Sequence, residues 1–203
     1  MEDALLIDAG TGNLYSVYNA LTSLGYTIRV TNNLQELSRP GRVILPGVGA
    51  FGKFMEGLTQ CDLAGPLKAV AARGDPLLGI CVGMQALFDL SEEMGQFEGL
   101  GLLPGRVVRF QEMPGLKIPH TGWNQLWPAY PSLLFKNIQA GSYTYFNHSF
   151  YCAPANPVDI AGTTDYGFSF ASVVQHGVLY GVQFHPEKSQ QVGLQILKNF
   201  MEI

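Results

Sequence analysis

Through the first half of the chain, short apolar runs alternate with amphipathic stretches, the pattern of βαβ units laid around a parallel sheet. Ala4–Ile7 reads as a first buried strand. Beyond a Gly-rich turn, Leu14, Val17, Tyr18, Leu21 and Leu24 recur at helical spacing, and Gly25 follows as a stop. Residues 26–30 return as a strand, residues 43–45 form another, and Pro46-Gly47-Val48-Gly49 turns the chain. A helix is expected over residues 63–72, ended by Gly74. A strand over residues 77–80 then runs into Cys81, and the chain leaves as a helix over residues 84–88.

The second half has a different texture. Segments 106–110, 143–151, 168–175 and 178–184 alternate in polarity and predict antiparallel strands added to the parallel sheet. His176-Gly177 joins two of them as a two-residue link, because glycine accepts positive φ. Residues 190–203 carry Leu194, Leu197 and Met201 at helical spacing and predict a closing helix. With no internal repeat or Pro/Ser-rich linker, residues 1–203 are expected to form one α/β domain. Its central sheet is mostly parallel, flanked by helices, with antiparallel strands in the second half.

Composition narrows the function classes. With 203 residues, 47% hydrophobic, 14% charged and 24 glycines, the chain is long enough to bury a full core and rich in tight turns. A net charge of -4 and the lack of a basic patch exclude a nucleic-acid partner, since phosphate binders concentrate Lys and Arg. Cys61, Cys81 and Cys152 are an odd set without metal-knuckle or disulfide spacing, which points to a reducing compartment and no metal. The acidic start Met1-Glu2-Asp3 is unlike a secretory signal, and no apolar run is long enough to span a bilayer. A cytoplasmic protein with no membrane partner is expected.

Candidate chemistry gathers at two places. Gly79-Ile80-Cys81-Val82-Gly83 places a cysteine at a tight strand-to-helix turn, where flanking glycines relieve crowding and the side chain is lifted above the sheet edge. A following helix would favour the thiolate, and the Val82 N–H is placed to help hold an oxyanion. Cys61 and Cys152 lack that setting and are assigned to packing or incidental exposure. Of the four histidines, His185 follows an apolar strand and opens His185-Pro186-Glu187, in which Pro186 stiffens the turn and Glu187 can orient the imidazole. Both groups fall at C-terminal strand ends, where open α/β sheets place their sites. His120 and His176 are assigned to surface or packing. Gly10-Thr11-Gly12-Asn13 lacks the third glycine of a dinucleotide fingerprint, so no nucleotide cofactor is expected.

Residues 76–85, Pro-Leu-Leu-Gly-Ile-Cys-Val-Gly-Met-Gln, and 181–189, Gly-Val-Gln-Phe-His-Pro-Glu-Lys-Ser, resemble the two signatures of class I glutamine amidotransferases, a flavodoxin-like family. Within that class, Asp8-Ala9-Gly10-Thr11-Gly12-Asn13, residues 45–51, Gly122-Trp123-Asn124 and Tyr145-Phe146-Asn147-His148-Ser149 resemble the glutaminase subunits of imidazole glycerol phosphate synthases. The resemblance implies that Cys81 attacks the carboxamide of glutamine and that ammonia leaves. His185 shuttles protons and Glu187 completes the triad, while backbone N–H groups at Val82 and Gly49 form the oxyanion hole. It further implies substrate contacts from Gln85, Asn147, His148, Ser149 and Phe150, and a partner-facing surface at Asn13, Trp123 and Lys188. His148 on residues alone reads equally as a satisfied structural histidine. Ala9, Thr121 and Val82 stand where Tyr, Met and Leu are common, the first two near the expected subunit interface. The amidotransferase module occupies the 203 residues, so the ammonia acceptor is expected on another chain. The resemblance points to a cyclase subunit forming a heterodimer, with a paralogue that feeds a surface-sugar amidation enzyme as the alternative.

Overall fold

The computed structural model describes residues 3–10 and 13–203. Met1, Glu2, Thr11 and Gly12 lie outside the described residues, and with them part of the acidic start and the middle of the expected Gly-rich turn. In chain order the elements are β1 (Ala4–Ile7), α1 (Leu14–Ser23), β2 (Ile28–Thr31), β3 (Arg42–Gly47), α2 (Phe51–Gln60), α3 (Ala64–Arg73), β4 (Leu77–Cys81) and α4 (Val82–Gln85). They continue with β5 (Phe88–Ser91), β6 (Phe97–Glu98), β7 (Leu103–Arg109), β8 (His120–Pro128), β9 (Ser142–His148), β10 (Phe150–Pro154), β11 (Ile160–Asp165), β12 (Ser169–His176), β13 (Leu179–Val182) and α5 (Gln190–Met201).

The strands β2-β1-β3-β4-β13 lie side by side and all pair in parallel, as the βαβ pattern predicts. Val43, Ile44, Leu45, Leu77, Leu78 and Ile80 are at most 1% exposed, the continuous apolar run expected of strands buried on both faces. From β13 the sheet turns antiparallel through β12, β10 and β7, then reaches β5 and β6. A side branch leads from β12 through β11 to β8, which pairs along its length with β9.

Several expectations shift, each for a local reason. Helix α1 ends as expected, but β2 starts at Ile28: Gly25 at φ +91° lets Gly25 N–H reach Thr22 O and Tyr26 N–H reach Leu21 O, a Schellman closure that uses Tyr26 as part of the cap. Helix α2 is not among the expected elements, although Phe51, Phe54 and Leu58 carry its buried face. The expected helix over 84–88 is a single turn, because Phe88 is drawn into pairing with Leu103 of β7. Strands β8 and β11 are likewise additions to the predicted set. The expected strand over 143–151 is two, since the chain crosses at Ser149 from the β8 ladder to the β7 ladder. The hairpin link is Gly177-Val178 rather than His176-Gly177, because His176 still pairs with Leu179. Strand β13 stops at Val182, two residues short of the expected end, as His185 N–H turns away to Tyr145 O of β9 at 2.9 Å.

Two glycines bring helix α4 into direct contact with the sheet. A Cβ on Gly83 would lie 1.8 Å from Leu45 O, and one on Gly79 would lie 2.6 Å from Gly83 O. Helix α4 therefore rests directly on the backbone of β3 and β4. Gly83→Ala is expected to lower unfolding free energy by about 3 kcal/mol or to prevent folding, because neither side of the clash is a movable side chain. Denaturant titration of the variant against the parent checks this; an unchanged midpoint would contradict the packing described.

Candidate active site

Cys81 ends β4 and holds φ +55°, ψ -112°, a conformation that costs a non-glycine residue on the order of 1–3 kcal/mol. The strain is kept because the flanking glycines let the turn sit flush on β3, and it presents the sulfur to a cavity rather than to the core. The expected help from a helix dipole is small, as α4 has only one turn. The positive partner is instead an imidazole.

That imidazole belongs to His185. Its Nδ1 donates to Glu187 Oε1 at 2.9 Å, with side-chain exposures of 4% and 1%, which leaves Nε2 for the Cys81 sulfur. Burial opposes the charged ring, but hydrogen bonds to Cys81 and Glu187 and their negative charge outweigh it, so the His185 pKa is raised to about 10. The turn is anchored from two sides. Ser189 Oγ donates to His185 O at 2.6 Å and accepts Tyr145 N–H at 2.9 Å. Helix α5 presses on the same turn at Gly193, where a Cβ would lie 1.9 Å from Pro186 O.

A cavity of about 310 Å³ opens over Cys81 and His185. It brings together Gly49 and Val82 with Gln85, Asn147, His148, Ser149 and Phe150, and it reaches Asn13 and Lys188 at its margin. Gly49 holds φ +90°. Glu187 lies behind His185, outside the cavity lining. Trp123 lies outside it too, 45% exposed on β8 and edge-on to Tyr145 at 5.9 Å. The Lys188 ammonium lies 5.8 Å from the Tyr145 ring, so Trp123, Tyr145 and Lys188 run from β8 to the cavity.

Gln85 is 3% exposed, and its amide donates to Phe150 O at 3.1 Å and to Gln183 Oε1 at 3.2 Å. Gln183, in turn, donates to Cys81 Sγ at 3.8 Å. His176 is exposed and pairs with buried Asp159, away from the cavity, whereas His120 is buried against His148. Burial raises the Cys152 thiol pKa well above its ordinary value, helped by the Cys81 charge, which fits a packing role. Ala9, expected near an interface, is 1% exposed beneath α2, and Thr121 Oγ1 donates to Asn147 Oδ1 at 3.0 Å.

Sequence reasoning missed Glu93, Gln183 and Ser189. Glu93 lines the cavity and accepts Phe51 N–H at 2.7 Å, capping α2 just beyond the end of β3, which runs through Pro46 and Gly47 so that the expected turn begins only at Val48. Nothing in its sequence neighbourhood distinguishes it from the adjacent Glu92. Gln183 and Ser189 stand inside the second signature, but their roles depend on contacts from α4 and β9. Among the described residues, no three His, Cys, Asp or Glu are grouped to hold a metal ion, and no helix is long and apolar enough to cross a membrane.

Residues 5–203 match the family model described as glutamine amidotransferase class-I. The chain is 50% identical over 203 residues to the imidazole glycerol phosphate synthase subunit HisH of Moorella thermoacetica, covering 100% of this chain and 96% of that one. It is 44% identical over 201 residues to the subunit of the same name from Syntrophotalea carbinolica, covering 97% and 98%. Among solved structures, PurLQS from Thermotoga maritima superposes with a TM-score of 0.72 at 19% identity, covering 98% of this chain and 97% of that one. A glutamine amidotransferase reaches 0.73 at 15% identity with the same coverage, and both likenesses speak to the fold.

The raised His185 pKa sets a pH window. Because the folded value lies above the unfolded 6.5, the stability it contributes is complete below pH 6.5 and is lost as pH rises through about 10. NMR titration of ¹⁵N-histidine-labelled protein should show His185 still imidazolium at pH 8. A midpoint near 6.5 would refute the charge pairing.

Proposed function

We infer the activity from a premise the family match supplies: the chain belongs to the class-I glutamine amidotransferases. It is a glutaminase, acting as the ammonia-producing subunit of an imidazole glycerol phosphate synthase, the name its full-length relatives carry at 44–50% identity. The observation that carries the site assignment is the meeting of the strained Cys81 with the buried His185–Glu187 pair at one cavity.

In this reading the Cys81 sulfur, as thiolate beside the His185 imidazolium, attacks the side-chain carbonyl carbon of glutamine. The carbonyl oxygen takes the charge and is held by backbone N–H groups of Val82 and Gly49. Val82 opens α4, so its N–H has no acceptor within the helix. His185 gives its proton to the nitrogen, the C–N bond breaks, and ammonia departs from a γ-glutamyl thioester. Water, deprotonated by the now neutral His185, adds to that thioester. Collapse returns the thiolate, the proton stays on His185, and glutamate leaves. Glu187 keeps Nδ1 protonated and supports the positive ring throughout.

The cavity suits the rest of glutamine. Glu93 is the carboxylate among the described lining residues and matches the α-ammonium, while the backbone of residues 147–150, also in the lining, would take the α-carboxylate. Ammonia passes to a cyclase subunit docked on the face of Asn13, Trp123 and Lys188 in a heterodimer, and the enzyme works in the cytoplasm without a cofactor. The full-length relatives named for the synthase favour this partner over a sugar-amidating one.

Glutamate release from glutamine, measured with and without the cyclase subunit and its nucleotide substrate, tests the reading. The complex should turn over at least ~10-fold faster than the isolated chain, Cys81→Ala should release none, and equal rates with and without the partner would defeat the coupling. Glu93→Gln keeps an acceptor for Phe51 N–H and loses the charge. It should raise KM for glutamine about tenfold with little change in kcat. An unchanged KM would remove Glu93 from the binding site.

A further inference from the structure

Three side chains outside the reaction steps form a directed chain of hydrogen bonds between two backbone carbonyls, running from β8 to the cavity. Asn124 Oδ1 accepts Gln125 N–H at 2.8 Å, while Asn124 Nδ2 lies 2.8 Å from Asp165 O and 3.2 Å from His120 Nε2. A carbonyl takes only donors, so the amide nitrogen is fixed at Asp165 and its second hydrogen points at His120. His120 Nε2 is therefore the acceptor, and its Nδ1 donates to His148 Nε2 at 3.0 Å. His148 must then carry its proton on Nδ1, which donates to Phe150 O at 2.8 Å. With a carbonyl at each end, one arrangement of protons satisfies every contact: both rings neutral, both protonated on Nδ1.

The surroundings agree. His120 stacks on Tyr166 at 3.9 Å and on Phe146 at 4.7 Å, and His148 meets Phe110 at 5.3 Å and Phe170 at 5.4 Å. Among the described residues, no carboxylate joins the pair. Burial pushes His120 down to about 4. It pushes His148 down to about 3, opposed by the bond to Phe150 O and assisted by the charges of His120 and His185.

The far end of the chain is shared with the nucleophile. Phe150 O also accepts Gln85 Nε2, Gln85 reaches Gln183 Oε1, and Gln183 Nε2 reaches Cys81 Sγ. We propose that His120 and His148 are positioning residues, a fixed-tautomer relay that holds the Phe150 carbonyl and through it the Gln85–Gln183 pair against the Cys81 sulfur. In its effect on turnover the proposal rests on the glutaminase reading above; in its proton arrangement it does not.

Long-range ¹H–¹⁵N correlation of the ¹⁵N-histidine-labelled chain at pH 7 reads the tautomers directly. Both rings should be protonated on Nδ1, and an Nε2–H on either would overturn the relay. His148→Leu, assayed for glutamate release with the cyclase subunit present, should lower kcat/KM at least ~10-fold, the loss expected when a positioned group drifts. His148→Asn, whose amide nitrogen can reach the Nδ1 position, should recover most of that loss. Turnover of His148→Leu equal to the parent, or an Asn variant as impaired as the Leu variant, would overturn the positioning role. Should the parent itself release no glutamate, the glutaminase reading fails, and the tautomers still decide the relay.

Discussion

The hydrogen-bond ladder through β3, β4 and β13 holds Gly47 opposite Cys81 and Val182 opposite Ile80, and the site depends on that register. A slip of one residue in either pairing would turn each side chain of the shifted strand to the other face of the sheet. Cys81 would then face the wrong helix layer, and the turn carrying His185 would leave β13 on the wrong side. Parallel pairing alone is not especially tight. Here the register is made unique by Gly83 resting on Leu45 O and by Gly181 against Met84, where larger residues have no room.

His185 and His148 line the cavity over the sulfur, His120 stands behind His148, and the protein gives them opposite electrostatic assignments. His185 has a carboxylate within 2.9 Å on one ring nitrogen and the Cys81 sulfur on the other, so it is held charged despite burial. His120 and His148 are enclosed by Phe, Tyr and each other, with only neutral acceptors, so they are held uncharged. Residue type is the same in each case; the difference is whether the walls contain a formal negative charge. A second imidazolium close to His185 would compete for the thiolate, and the aromatic enclosure prevents it.

Much of this was legible in the chain. The buried strands β1, β3 and β4 are uninterrupted apolar runs, and α1, α3 and α5 carry helical periodicity with stops at Gly25 and Gly74. The nucleophile and its triad stand in short motifs whose turn residues have steric reasons. What stayed hidden depends on contacts distant in sequence. Strand β8 mixes His, Thr, Gly, Trp and Asn and shows no clean alternation, because only His120 and Leu126 along it are buried. The split at Ser149 reflects a change of ladder, which local polarity cannot report. His120 read as a bland residue because Pro119 and Thr121 beside it carry no partner for an imidazole, while its stacking partners lie at positions 146 and 166.

Strand β4 becomes an interior strand only when β13 docks on it, pairing Leu77 with Leu179, about a hundred residues further along the chain. Until then its free edge is a run of apolar backbone at the heart of the molecule, and loop closure of that length is slow. A chain in which that pairing is absent leaves the strand bearing the nucleophile open to pairing with other chains. The same long-range pairing that brings the His185 turn beside Cys81 also covers that edge, so the order of the site and the protection of the strand rest on one contact.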